Sequence, residues 1–230
     1  MELRDRLALA LDTDDLVVAQ RLARQLQPWF SVAKIGLELY AAAGPEAVAA
    51  LVDGGFSVLL DLKLHDIPTT VRKASRVIGA LGASYLTLHA FGGPVMLRAG
   101  VDGLRDGASA AGLPAPVALA VTVLTSDADA PPHILGRRVL SAVEGGCGGV
   151  VCAPADVREA KQLAPRLLAV VPGIRPAAAE RHDQARAGTP QEALDAGADL
   201  LVVGRLVTTA PDPAKAAASL VESLHLPSRG

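Results

Sequence analysis

Short apolar runs alternate with longer segments of helical period from end to end of this 230-residue chain, and that alternation limits the possible folds more than any single motif. The runs are LALALD (7 to 12), SVAKIG (31 to 36), SVLLDLK (57 to 63), YLTLHA (85 to 90), VALAVTVL (117 to 124), GVVCA (149 to 153), LLAVVPG (167 to 173) and LLVVGR (200 to 205). Rich in leucine and β-branched residues, they read as parallel strands buried on both faces. Helical period predicts helices at about 15 to 26, 44 to 53, 69 to 81, 93 to 110, 134 to 145, 155 to 164, 190 to 196 and 212 to 224, one after each strand. Glycines recur just before strands, as at Gly54-Gly55, Gly82, Gly112, Gly145-Gly146 and Gly197, where a helix C-terminus needs a left-handed residue. Eight such βα units predict an α/β fold, a single-domain TIM (β/α)8 barrel over residues 1 to 230. The competing arrangement is an open doubly wound sheet. It lacks its glycine-rich G-x-G-x-x-G turn here, because Asp12-Thr13-Asp14 follows the first strand.

Charge and composition narrow the partners. Net charge is −2 from 22 basic and 24 acidic residues with no basic tract, and aromatics make up 3%. A nucleic-acid footprint and base-stacking platforms are therefore not expected, and an anionic ligand must be met by a few placed Arg or Lys. Cys147 and Cys152 lie in Gly/Val-rich sequence without metal-ligand spacing, and read as buried thiols of a reducing cytoplasm. The start, MELRDRLALALD, carries acids and an apolar run too short for a signal peptide, and no run suits a membrane span. A cytoplasmic protein is expected.

Catalytic residues of a TIM barrel sit at the C-terminal ends of its strands, and those ends are unusually polar here. They carry Asp12, Lys34, Asp61 with Lys63, His89, Thr125-Ser126, Arg175 and Arg205. The densest stretch is DLKLHDIPTT, residues 61 to 70, where Ile67-Pro68 opens a helix with Pro in its first turn. Strand alternation puts Asp61 and Lys63 on one face. The same pattern suits a structural ion pair, but Asp66 three residues later favours a catalytic centre. Lys34, Asp61, Lys63 and Asp66 are predicted to form one alternating-charge array that holds Asp61 ionised and Lys63 protonated. Phosphate is often bound by the loops after strands seven and eight. Gly204 admits backbone N–H groups to an anion there, and Arg205 offers a bidentate fork. Arg175 and Gln184 border a segment, 174 to 188, long enough to be a lid. Thr125 and Ser126 supply hydroxyls suited to a pyrimidine edge. His65 reads as packing, His89 as a strand-end hydrogen bonder, and His133 and His225 as surface residues.

These residues together resemble the orotidine 5′-phosphate decarboxylase family in its short bacterial form. Its D-x-K-x-x-D-I-P-x-T signature stands as Asp61, Lys63, Asp66, Ile67, Pro68 and Thr70. LALD ending at Asp12, KIG at Lys34, VTVLTS at 121 to 126, VPGIR ending at Arg175, DQ at 183 to 184 and VVGR ending at Arg205 accompany it in order. His182 is a small departure, in a loop position where many members carry an acid. The resemblance implies a homodimeric barrel that converts orotidine 5′-phosphate to UMP and CO2 in pyrimidine synthesis, with no metal and no cofactor. It implies that Lys63 stabilises and protonates the carbanion, that Asp66 serves the partner subunit's site, that Asp12 and Lys34 hold ribose hydroxyls, and that Thr70 is a substrate contact. Two other readings are a Mg²⁺-dependent sugar-phosphate decarboxylase of the same superfamily and a non-catalytic nucleotide-binding barrel. The former carries a metal-binding Glu on strand two, where this chain has Lys34.

Overall fold

The structure is a computed structural model that describes residues 2–127, 130–131, 133–174 and 188–225. Eight parallel strands close in sequence order: β1 (Leu7–Leu11), β2 (Val32–Ile35), β3 (Ser57–Leu64), β4 (Tyr85–His89), β5 (Val117–Val121), β6 (Gly149–Val151), β7 (Leu168–Val171) and β8 (Leu200–Val203). The predicted TIM barrel is therefore present, and β8 pairing with β1 through Leu7–Leu201, Ala8–Val202 and Leu9–Val203 excludes the open sheet. Closure is reinforced below the strands. The Arg6 guanidinium donates to the carbonyls of Ala198 and Asp199, while Asp199 Oδ2 accepts from the Ala169 N–H at 2.8 Å and pairs with Lys161 at 2.5 Å.

Strand alternation divides the core in two. Leu7, Leu9 and Leu11 of β1 join the large outer cluster beneath the helices, whereas Ala8 meets Val32, Leu59, Leu119, Val170 and Leu200 inside the barrel. Both faces are thus buried, which is why these strands read as unbroken apolar runs.

The helices are α1 (Leu16–Leu26), α2 (Leu37–Ala43), α3 (Pro45–Asp53), α4 (Pro68–Gly79), α5 (Gly93–Ala110), α6 (His133–Glu144), α7 (Val157–Leu163), α8 (Pro190–Asp195), α9 (Arg205–Thr208) and α10 (Pro213–Glu222). The expectation of one helix per strand needs correction at two places. After β2 the chain makes α2 before α3, the break falling at Gly44 (φ 58) ahead of Pro45. After β8 it makes the single-turn α9 before α10, so Arg205 opens a helix rather than ending a strand. Proline opens α4 as predicted, with Ile67 as its N-cap. Of the glycine pairs, Gly55 (φ 83) and Gly146 (φ 75) carry the left-handed residue and their predecessors do not.

Helices α4 and α5 approach at backbone distance. A side chain at Gly103 or Gly107 of α5 would overlap the carbonyls of Arg72 and Arg76 of α4, and one at Gly79 would overlap that of Leu104. This contact fixes the helix that begins directly after the Asp66 loop. No described helix is long and apolar enough to cross a membrane.

Candidate active site

The inward positions change character partway up the barrel. Val32 on β2, Leu59 on β3 and Tyr85 on β4 belong to the inner apolar cluster, while Lys34, Asp61 and Thr87, two residues further along each strand, line a cavity of about 550 Å³. Apolar packing below and polar walls above put the cavity at the C-terminal end of the strands, as the fold requires.

Two ion pairs stand in this wall. Lys34, 9% exposed, meets Asp12 Oδ1 at 2.7 Å. Gly36 lies directly against that pair, since a Cβ there would stand 3.1 Å from Lys34 Nζ and 3.3 Å from Asp12 Oδ1. The Lys63 ammonium lies 2.9 Å from each oxygen of Asp61. The adjacency expected from strand alternation is therefore present, but it is held by an irregular stretch of strand. Leu60 pairs with Leu86 and Leu64 with Leu88, so β3 uses four residues where β4 uses two. Lys63 sits in the excess at φ 50, the only described residue other than glycine with positive φ. Its N–H donates to Thr87 Oγ1 at 2.8 Å, and the Thr87 hydroxyl donates to Asp61 Oδ1 at 3.0 Å.

The continuous array expected from Lys34 through Asp66 is resolved differently within one chain. Lys34 pairs with Asp12 and Lys63 with Asp61, while Asp66 is exposed, off the cavity wall, and accepts the Ile67 N–H at 2.6 Å. The loop turns outward after Leu64, which separates Asp66 from its neighbours in sequence. Asp12, Thr125, Gly204 and Arg205 join the wall; Thr70 and Ser126 lie off it, exposed. Among the described residues, a Cβ at Gly204 would meet only Ala10 Cβ, at 3.6 Å, so none of them crowds that turn. Arg175, Gln184 and His182 fall outside the described residues, as does most of the lid segment; a parallel bridge joins its flanks at Ile174 and Gly188.

Sequence reasoning passed over Thr87, Thr208 and Thr209, all on the wall, and read Cys152, which also lines it, only as a buried thiol. None of these carried a signal of its own in the sequence; Thr87 gains its place only from the shifted register of β3 against β4. Cys147 and Cys152 are buried free thiols, as expected, and burial pushes the Cys147 thiol up to about 12.

Beside the site, His65, His89 and Phe91 form an aromatic group, with ring centroids 5.5 to 6.5 Å apart, and Arg138 stacks on Phe91 at 5.6 Å. His89 Nδ1 accepts the Phe91 N–H at 3.2 Å, so the hydrogen-bonding role predicted for it is present. That contact assigns the ring proton of the neutral form to Nε2. Burial lowers the pKa of His89, with Arg138, His65 and Lys63 adding positive charge nearby.

With charge gathered at the carboxyl rim above an apolar floor, the molecule falls in the class of TIM-barrel enzymes. The chain belongs to one family within that class: the sequence profile of the Orotidine 5'-phosphate decarboxylase / HUMPS family matches residues 5–220. It is 42% identical over 238 aligned residues to the orotidine 5'-phosphate decarboxylase of Moorella thermoacetica, covering 98% of this chain and 94% of that one. The enzyme of the same name from Anaeromyxobacter sp. (strain K) is 45% identical, over 97% of this chain and 100% of its own. The crystal structure of orotidine 5'-phosphate decarboxylase from Lactobacillus acidophilus superposes with a TM-score of 0.79 at 33% identity, covering 95% of this chain and 98% of that one.

Proposed function

We propose that the chain is a carboxy-lyase of pyrimidine biosynthesis, a single catalytic domain that converts orotidine 5′-phosphate to UMP and CO2 in the cytoplasm without metal or organic cofactor. The observation that carries this reading is the Lys63 ammonium, held within 2.9 Å of both Asp61 oxygens on the wall of the rim cavity. Relatives bearing the name of that activity along nearly their whole length support it.

The chemistry fits those groups. When the bond from ring carbon C6 to the carboxylate breaks, CO2 leaves and the electron pair stays on C6, in the ring plane, where no carbonyl delocalises it. Stabilisation must come from a charge already in position, which costs no reorganisation during the reaction. Lys63 supplies that charge and then transfers a proton to C6, ending as the amine. Asp61 orients the ammonium, and its negative charge faces the departing carboxylate, a repulsion relieved as CO2 leaves. Asp12 and Lys34 hold ribose hydroxyls, Thr125 on the wall faces the pyrimidine edge with Ser126 next to it in the same turn, and Gly204 and Arg205 take the phosphate with Arg175 and Gln184. A metal-dependent sugar-phosphate decarboxylase would need a carboxylate on β2 where Lys34 stands paired to Asp12.

The reading includes a homodimer in which Asp66 of one subunit completes the other's site, with Thr70 nearby as a substrate contact. It draws on the exposed position of Asp66 and on exposed apolar side chains in the segments that follow β3 and β4, Ile67 (66% exposed), Phe91 (63%) and Val95 (71%). The test of the reaction is the ultraviolet absorbance of orotidine 5′-phosphate mixed with purified protein in EDTA. The absorbance should fall at the rate seen without chelator; a nucleotide bound but unchanged would leave a binding barrel, and activity abolished by EDTA would favour the metal-dependent reading.

A further inference from the structure

The geometry points to Thr87 as a positioning residue for the reacting lysine, an inference that rests on the proposed role of Lys63. Two independent features converge on its hydroxyl. The first is backbone: where β3 departs from its register with β4, the Lys63 N–H has left the regular ladder and donates to Thr87 Oγ1 at 2.8 Å. The second is side chain: the same oxygen donates its own hydrogen to Asp61 Oδ1 at 3.0 Å, and Asp61 holds the Lys63 ammonium through both oxygens. A closed circuit results, from the Lys63 backbone through the Thr87 hydroxyl to the Asp61 carboxylate and back to the Lys63 ammonium. One hydroxyl serves as acceptor and donor at once and ties both ends of the lysine to the rigid strand β4.

Thr87 is fully buried, and the ammonium in this circuit is held by contacts at both ends of its side chain. A hydroxyl is needed because the site presents one donor, the Lys63 N–H, and one acceptor, Asp61 Oδ1, to the same point. Valine would match the shape, but it would leave the Lys63 N–H unmet and strip Asp61 Oδ1 of one of its two donors, leaving it the Lys63 ammonium alone. The backbone of Lys63 would then lose a bond that supports its left-handed conformation, and the carboxylate would be free to turn. A charge misplaced from its working position stabilises the transition state less while leaving distant ribose and phosphate contacts in place.

The experiment compares Thr87→Val, Thr87→Ala and Thr87→Ser with the native enzyme, reading kcat, UMP affinity and thermal unfolding, with Lys63→Ala run alongside. Val and Ala should lower kcat by about 10- to 100-fold, the scale of one charge-assisted hydrogen bond. UMP affinity should change by less than about threefold, and Ser, which keeps the hydroxyl, should recover most of the rate. Native kcat in folded Val or Ala variants overturns the inference. So does a Ser variant as slow as Val, since the γ-methyl packing would then matter rather than the hydroxyl, and so does a loss of UMP affinity equal to the loss of rate. If Val does not fold, Ala and Ser decide by the same criteria. Should Lys63→Ala itself keep native turnover, the underlying reading of the lysine fails, an outcome distinct from slow Lys63→Ala with unaffected Thr87 variants.

Discussion

A lysine in the left-handed backbone region costs about 1–2 kcal/mol relative to ordinary conformations, so its persistence requires specific support. Here the Thr87 hydroxyl and the two-oxygen ion pair with Asp61 provide it at the base of the proposed chemistry. Next to this pair, His89 titrates in the opposite sense from a histidine that gains an anionic partner. Burial and the positive charges of Arg138, His65 and Lys63 lower its pKa, so the folded protein binds that proton less readily than the unfolded chain. Stability contributed by the neutral ring is present above the unfolded value, about 6.5, and is lost as pH falls through it toward the lower folded value. Replacing His89 with Gln should therefore flatten part of the drop in denaturation midpoint between pH 7.5 and 5.5. Equal slopes for variant and native protein would contradict that account. At this scale the pairing of Asp61 with Lys63 was legible because strand alternation puts residues two apart on one face, and Asp66 three residues on set the pattern apart from a plain structural ion pair. Thr87 was not, because a threonine in a strand is ordinary until its register with β3 is known.

Among the elements, the strands were the most legible, since burial on both faces leaves uninterrupted apolar runs that no loop here imitates. Their ends were less so: β5, read to residue 124, stops at Val121, and Thr125 belongs to the turn beyond it. The helices α2 and α9 escaped notice because one or two turns are too short to display a period, and the boundary at Gly44 depends on a local backbone angle. The excess residues of β3 were equally hidden, since register is a relation between two strands and not a property of one. Placement of α9 bears on the phosphate end of the proposed substrate, because Arg205 is its first residue and lies on the cavity wall. Remote binding energy of this kind is used to raise turnover as well as affinity. Arg205→Ala should lower kcat/KM on the phosphorylated substrate by at least the ~1.5–3 kcal/mol of a charged hydrogen bond and alter the reaction of phosphate-free orotidine little. Equal losses on both substrates would make Arg205 a support of the rim instead.

For the whole molecule, the barrel supplies a rim on which Asp12, Lys34, Asp61, Lys63 and Arg205 face one cavity, and leaves Asp66 outside it. The sequence places Asp66 beside Lys63 in number, but the outward turn of the loop after β3 separates them within a single chain. A homodimer that lends Asp66 across its interface predicts that Asp66→Asn and Lys63→Ala are each nearly inactive alone, while refolded mixtures regain activity from the one site per mixed dimer with both residues intact. Mixtures that stay inactive while native chains refold normally would mean a site built within one subunit. The central claim, that the Lys63 ammonium stabilises and protonates the carbanion, is tested most directly by the turnover of Lys63→Ala on orotidine 5′-phosphate, with UMP affinity measured on the same preparation. Turnover should fall by at least about 1,000-fold, the scale of losing a proton donor and a preorganised charge together, while UMP affinity stays within about tenfold because ribose and phosphate contacts remain. A folded Lys63→Ala protein that binds UMP and decarboxylates at close to the native rate would contradict it.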